Sequence, residues 1–366
     1  MNRTEILSPS QSGIIIAKNA RYITICEDGI NKCAQEVCNR VKKGKIKLVN
    51  DPTEENSSCN YIKKDIVHPQ IADQEGVDWV FFIDALNFSF WNFSSGNNKQ
   101  YLVTYKGTTY TGYLAFCAAV CRTLDSGIPL TRPSFYSIIT EDQLNAFLMG
   151  DHEVECPLIK ERVSCLHEIA EVLNQKYESS FVNCIKQCEA FGNQKAQKLL
   201  DLIRNEFPCF RDEAEYNPQA DLPAFKVSFM KRAQILIADI WTLFEGKELG
   251  QFDDINSITM FADYRIPQSL QYFGALKYSD ELIKELNKPE QVMEHGSIYE
   301  IEIRGCSIEA VNRIVAKSQK LLATVDVHIS KHLNCVIVDY FLWGFRREKA
   351  DEMLHYPYHK VRSIYY

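Results

Sequence analysis

The chain has 366 residues, 46% of them hydrophobic and 24% charged, which suits one large domain or two to three ordinary ones around an apolar core and excludes a disordered chain. Forty-one Lys and Arg against 48 Asp and Glu leave a net charge of −7, which argues against a protein that grips a nucleic-acid duplex through many phosphates. Thirteen cysteines, an odd number with no C-x-x-C pair, and a polar opening from Met1 to Ser12 point to reduced thiols and a cytoplasmic location. No uncharged apolar run reaches the roughly 18 residues of a membrane helix.

In chain order, Ile30, Ala34, Val37 and Val41 recur at helical spacing, and Lys42 to Lys45 and the polar run Asp51 to Asn60 then form a soft connector. The stretch Val77 to Trp91 is almost continuously apolar, and its length favours a helix. Tyr101 to Tyr105, a Lys106-Gly107 turn and Thr108 to Thr111 carry the signature of a β-hairpin. Thr140-x-x-Gln143 is a capping box ahead of Leu144, Phe147 and Leu148, and amphipathic repeats follow over Leu158 to Tyr177 and Phe181 to Phe207. Pro208 ends that segment, and Arg211 to Tyr216 reads as a charged loop. A helix follows from about Ser228 to Phe244. Pro267 suits a first helical turn, Ser279 an N-cap for Asp280 to Leu286, Ile298 to Ile303 a short strand, and Ile308 to Leu322 a further helix. The expected fold is mainly α-helical (α+β), a single helical domain over 65–366 with a small antiparallel β accessory. Residues 1–64 supply an N-terminal helix and a variable connector.

Three apolar stretches each hold one carboxylate: Asp84, Asp263 and Asp339. A buried carboxylate needs donors, a cation or a ligand, so each either caps a helix or pairs with an Arg, or the three mark a polar cavity. Lys231 opens the segment KRAQILIADIW, 32 residues before Asp263, and is either a surface helix start or a cation converging on that carboxylate. His68, ahead of Pro69, is by itself a structural histidine as readily as a catalytic one. Cys117 with Cys121 and Cys184 with Cys188 would share helix faces as small apolar residues. Zinc would need two further soft ligands near either pair. His328 with His332 lacks an adjacent Glu, and Pro357 interrupts His355 with His359, so no metal site is expected. The glycine-rich phosphate loops and the G-x-S-x-G elbow are absent, which removes nucleotide-cofactor, P-loop and α/β-hydrolase readings.

Nine strings in one order, DALNFSFW (Asp84–Trp91), YTGY (Tyr110–Tyr113), FVNCI (Phe181–Ile185), FRDEAEY (Phe210–Tyr216), KRAQILIADIW (Lys231–Trp241), ITMFADYRIPQ (Ile258–Gln268), FGALKYS (Phe273–Ser279), EIRGCSIEAV (Glu302–Val311) and HKVRSIYY (His359–Tyr366), resemble the queuosine 5′-phosphate N-glycosylase/hydrolase family of queuosine salvage proteins. The resemblance runs from about His68 to the last residue. It implies a catalytic domain over 65–366, similar in fold to helical DNA glycosylases, that hydrolyses the N-glycosidic bond of queuosine 5′-monophosphate. The products would be ribose 5-phosphate and queuine, the latter free for insertion into tRNA. The substrate would be a small-molecule nucleotide, with no cofactor, no metal, no duplex nucleic acid and no membrane partner. By the same resemblance His68, Phe261, Asp263, Asp339 and Tyr340 line the queuine site, and Lys231 with Asp263 forms the catalytic pair. An oxocarbenium-like sugar requires a carboxylate beneath the anomeric carbon, for which Asp263 is the choice. Lys231 and Arg265 are candidates to hold the 5′-phosphate. Asp339 would pair with the cationic secondary amine of queuine. In DYFLWGF this chain has Gly344 where family members often have Asp. A DNA-repair-type glycosylase and a non-enzymatic queuine-binding protein are the competing readings.

Overall fold

Ser8 receives the backbone N–H of Gln11 while the Gln11 side chain receives that of Ser8, and Pro9 occupies the first turn, so the chain enters its first helix through a complete capping box. The computed structural model describes residues 5–49, 65–91, 100–219, 223–288 and 292–366. In chain order the elements are α1 (Pro9–Asn19), β1 (Ile23–Ile25), α2 (Glu27–Lys42), α3 (Gln74–Ala85), β2 (Leu102–Tyr105), β3 (Thr108–Thr111), α4 (Tyr113–Asp125), α5 (Pro133–Tyr136), α6 (Glu141–Leu148), α7 (Ile159–Lys176), α8 (Val182–Cys188) and α9 (Lys195–Glu206). They continue with β4 (Glu213–Tyr216), β5 (Phe225–Ser228), α10 (Lys231–Leu243), α11 (Ile266–Tyr272), β6 (Leu276–Tyr278), α12 (Asp280–Leu286), α13 (Ile298–Ala323), α14 (Val327–His332) and α15 (Cys335–Glu348). The fold is mainly α-helical. Among the described residues the strands form three two-stranded antiparallel sheets, β1 with β6, β2 with β3 and β4 with β5. The expected connector over 51–60 lies outside the described residues. No described helix is long and apolar enough to cross a membrane.

The chain divides into two units, the first built from Met1–Cys59, Arg211–Gln234 and Asp253–Arg362, the second from Asn60–Phe210, Ile235–Phe252 and Ser363–Tyr366. In the first, α13 is the central element, packed by α1, α2, α11 and α15. Glycines permit the closest approaches. A Cβ on Gly305 of α13 would lie 2.4 Å from Ile16 Cδ1, and one on Gly29 of α2 would lie 2.0 Å from the backbone of Gly274. In the second unit α3 is buried from Gly76 to Ala85 on every face, against α7 and α8. Phe81 stacks on Phe181 at 4.3 Å and meets Phe207 edge-on at 5.4 Å. Past α3 the chain stays buried without helical bonds, and Arg162 satisfies its carbonyls by donating to Leu86 O and, at 2.7 Å, to Phe88 O.

The hairpin over 101–111 forms as its sequence dictates: Lys106 and Gly107 both take positive φ (46° and 81°), the turn geometry whose twist matches paired strands. The capping box at Thr140 and the Ser279 cap of α12 are present, and Pro267 sits in the first turn of α11. Three expectations are corrected. Ile298 to Ile303 is the beginning of the 26-residue α13, capped by Ser297. Its β-branched residues are buried because neighbours pack this helix on several sides, and such packing hides helical periodicity. Within the charged segment 211–216, Glu213 to Tyr216 is a strand, β4, paired with β5. The repeat over 181–207 is two helices, broken where Gly192 takes φ +47°.

Gly29→Ala should destabilise the protein by at least about 1–3 kcal/mol, since the new methyl meets backbone that has no room to move. Gly344→Ala, whose Cβ would meet nothing within 4 Å inside α15, should be neutral or stabilising by up to about 1 kcal/mol. Denaturant unfolding of the two variants reads both signs. A harmless Gly29→Ala would contradict the tight α2 contact.

Candidate active site

The first unit brings Lys231, Phe261, Asp263, Arg265, Asp339 and Tyr340 into one region, on the start of α10, the segment 258–265, and α15. The backbone leading into α11 does the local positioning: Asp263 Oδ1 accepts the N–H groups of Arg265 (2.7 Å) and Ile266 (2.8 Å), which fixes the carboxylate against the first turn of α11. Among the described residues no donor engages Oδ2. Asp263 keeps part of its surface exposed, yet withdrawal from water raises its pKa. The positive charge of Lys231 is the largest opposing influence, followed by the two backbone N–H groups and the charge of Arg265. An ionised Asp263 is therefore sustained by nearby cations rather than by solvent.

Lys231 is only 5% exposed, and as the first residue of α10 it donates its backbone N–H to Asp212 Oδ2 at 3.1 Å. Asp212 is itself gripped by Arg304 of α13, which donates Nη1 to Oδ1 (2.8 Å) and Nη2 to Oδ2 (2.5 Å). The same guanidinium donates Nε to the carbonyl of Ala262 at 2.9 Å and lies over the Phe229 ring at 4.1 Å. One buried Arg thus ties the residue before Asp263 to the carboxylate that holds the start of α10.

Asp339, 4% exposed on α15, accepts the backbone N–H of Phe261 through Oδ2 at 2.9 Å. Tyr340, beside it, meets the Phe261 ring edge-on at 5.9 Å. Arg265 donates Nη1 to Gln268 Oε1 (3.1 Å), and its guanidinium lies over Tyr358 at 4.4 Å and Tyr264 at 5.1 Å.

His68 belongs to the second unit. Its Nε2 is 3.3 Å from the Tyr113 hydroxyl, its ring meets Trp79 edge-on at 5.8 Å, and Nδ1 has no hydrogen-bond partner among the described residues. Burial pulls its pKa down to about 4, so the imidazole is neutral at physiological pH. Asp84 lies in that unit too, fully buried, with Oδ1 accepting from the Asn87 side chain at 3.1 Å. The three lone carboxylates therefore do not form one cluster in the first unit, which holds Asp263 and Asp339 alone of them. Sequence reasoning passed over Asp212, Gln268, Arg304 and Arg346. Arg304, the one charge in the stretch IRGCSI (Ile303–Ile308), carried the same signal as the isolated Asp residues.

A family model described as queuosine salvage protein matches residues 67–366. The queuosine 5′-phosphate N-glycosylase/hydrolase of Mus musculus is 40% identical over 360 residues, covering 98% of this chain and 99% of the relative. The protein of the same name from Schizosaccharomyces pombe is 38% identical over 318 residues (82% of this chain, 86% of the relative), and that from Sphaerobacter thermophilus 34% over 289 (79% and 81%).

Arg304→Met should cost about 3–5 kcal/mol of stability, because it leaves Asp212 charged, buried and without its bidentate partner. Equilibrium unfolding measures it. A loss below about 1 kcal/mol would mean that water reaches Asp212 and that the pair is no strut.

Proposed function

The chain belongs to the queuosine salvage protein family, and we propose that it hydrolyses the N-glycosidic bond of queuosine 5′-phosphate at the Asp263 carboxylate, releasing queuine and ribose 5-phosphate. The bond between the anomeric carbon and the base nitrogen breaks, and its electron pair leaves with the base. Water supplies the oxygen that bonds to the anomeric carbon, and one of its protons ends on the base. The sugar passes through an oxocarbenium-like state, and the group most useful there is a fixed negative charge. The observation that carries this reading is the hold on Asp263: one oxygen tied by two backbone N–H groups, the other unengaged among the described residues.

Lys231 lowers the pKa of Asp263 and so keeps the catalytic charge in place. Phe261 offers an aromatic surface to the base, an interaction worth about 1–3 kcal/mol for stacked bases. Asp339 supplies a carboxylate for the cationic amine of the queuine arm, with Tyr340 beside it. The substrate is a free nucleotide rather than a duplex, in keeping with the net charge of −7. The odd number of cysteines, with no C-x-x-C pair, supports reduced thiols and a reducing compartment, the cytosol.

Asp263→Asn should fold normally and lose on the order of 10²–10³ in turnover, because the amide keeps the shape and removes the charge. Chromatography of queuosine 5′-phosphate incubations for free queuine reports it. Near-normal turnover by a folded variant would move the chemistry elsewhere, and binding without release in the unaltered protein would make it a carrier.

Catalysis requires ionised Asp263, so kcat should fall as pH drops through the raised pKa of that group, on a limb above the ordinary carboxylate value of about 3.9. Lys231 opposes the rise, so Lys231→Met should move the limb to higher pH. A pH profile of kcat at saturating substrate decides this, and a limb that stays in place would remove Lys231 from the role.

A further inference from the structure

We infer that Arg265 and Arg346 together form the subsite for the 5′-phosphate, a phosphomonoester dianion, with Gln268 holding the two guanidinium groups in register. The inference rests on the reading of Asp263 as the group at the anomeric carbon. Gln268, in the first turns of α11, is buried, and its Nε2 donates to the Tyr356 carbonyl at 2.6 Å, which orients the amide. Its Oε1 then accepts from Arg265 Nη1 at 3.1 Å and from Arg346 Nε at 3.3 Å. A single neutral oxygen therefore draws two cations together.

Among the described residues neither Arg265 nor Arg346 forms an ion pair with a carboxylate, although both are half-buried. Three other arginines of the unit do pair with carboxylates. Arg40 engages Glu36 and Glu348, Arg304 engages Asp212, and Arg313 engages Glu27 and Glu309. Two like charges held close and partly dry repel, and the strain shows on Arg346, whose pKa is pulled down to about 10 by burial and by the charge of Arg265. An incoming dianion removes that repulsion, and planar guanidinium forks match phosphate oxygens in pairs.

The placement fits one nucleotide. Arg265 is two residues beyond Asp263 and donates its own backbone N–H to that carboxylate, so the phosphate contact and the catalytic charge share one turn. Arg346 follows Asp339 by seven residues on α15, two turns along one face and about 10 Å along the axis. One helix thus presents a carboxylate for the cationic arm of the base and a cation for the phosphate at the other end of the substrate.

The test compares queuosine 5′-phosphate with queuosine, the same molecule without the phosphate. Dissociation constants are measured calorimetrically in the slow Asp263→Asn background, with and without Arg346→Gln. The second substitution should weaken nucleotide binding about tenfold to hundredfold and change nucleoside binding by less than about twofold. Arg346→Lys, which keeps charge but loses the fork, should fall between, and serves if Arg346→Gln melts early. Inorganic phosphate should compete with the nucleotide, and Arg346→Gln should weaken that competition. Equal losses for both ligands, no loss for either, or phosphate binding that leaves nucleotide affinity untouched would overturn the assignment. Turnover of queuosine 5′-phosphate by the unaltered protein reports separately on the reaction itself, so a failed subsite and a failed reaction read differently.

Discussion

Arg304 has to be satisfied where water does not reach, and the way it is satisfied fixes the region around Asp263 and the start of α10. A fully buried guanidinium costs several kcal/mol unless a carboxylate and further acceptors surround it. Here Asp212 takes two of its N–H groups, the Ala262 carbonyl takes a third, and Phe229 covers its face. Asp212 also receives the first N–H of α10, and Ala262 precedes Asp263, so a displacement of Arg304 would reach both Lys231 and Asp263. The placement of the proposed catalytic pair thereby depends on a side chain that hydrogen-bonds to neither of their side chains.

Signals confined to a few residues were legible in the sequence. Thr140 with Gln143, Ser279 ahead of Asp280, Pro267 and the Lys106-Gly107 turn each declare their geometry within four positions, and each is realised. The lone carboxylates in apolar runs were legible as well, because burying a charge is costly wherever it occurs. What failed was whatever depends on a distant partner. Ile298 to Ile303 alternates like a strand and is a helix because α1 and α2 pack around its continuation. Glu213 to Tyr216 looks like a solvated loop and is a strand because β5 pairs with it. Arg346, in the polar end of α15, reads as a surface residue until Gln268, 78 positions away in the chain, is seen to accept from it.

Asp339 has a structural task beside the recognition role proposed for it. Its Oδ2 accepts the N–H of Phe261, so the carboxylate holds the segment that carries the aromatic surface and, two residues on, Asp263. A residue with that task would be kept even without a ligand, which is why a buried carboxylate alone does not identify a binding site. The recognition role proposed for it rests on what adjoins it: Tyr340 edge-on to Phe261 and a helix face that continues to Arg346. Beside that face Gly344 leaves open space, since a Cβ there would meet nothing within 4 Å. This chain carries no second acidic group at that position, so in the proposed recognition Asp339 would bear more of the attraction for a cationic arm.

The arrangement of charge also suits the reaction proposed for a 7-deaza base. That base lacks the ring nitrogen whose protonation helps ordinary purines depart, so more of the work falls on the sugar side of the bond. A single carboxylate is enough only if it stays ionised while largely withdrawn from water, and a lone buried carboxylate would instead take up a proton. Lys231 and Arg265 oppose that uptake, and two backbone N–H groups oppose it further. Too strong an opposition would defeat the purpose, since a carboxylate locked in a contact ion pair has less negative potential to offer a developing cation. No such contact pair forms at Asp263 among the described residues; Lys231 acts on it through space, and Arg265 turns its guanidinium toward Gln268, Tyr264 and Tyr358 instead. The cations oppose protonation of Asp263, and among the described residues no donor engages its outer oxygen.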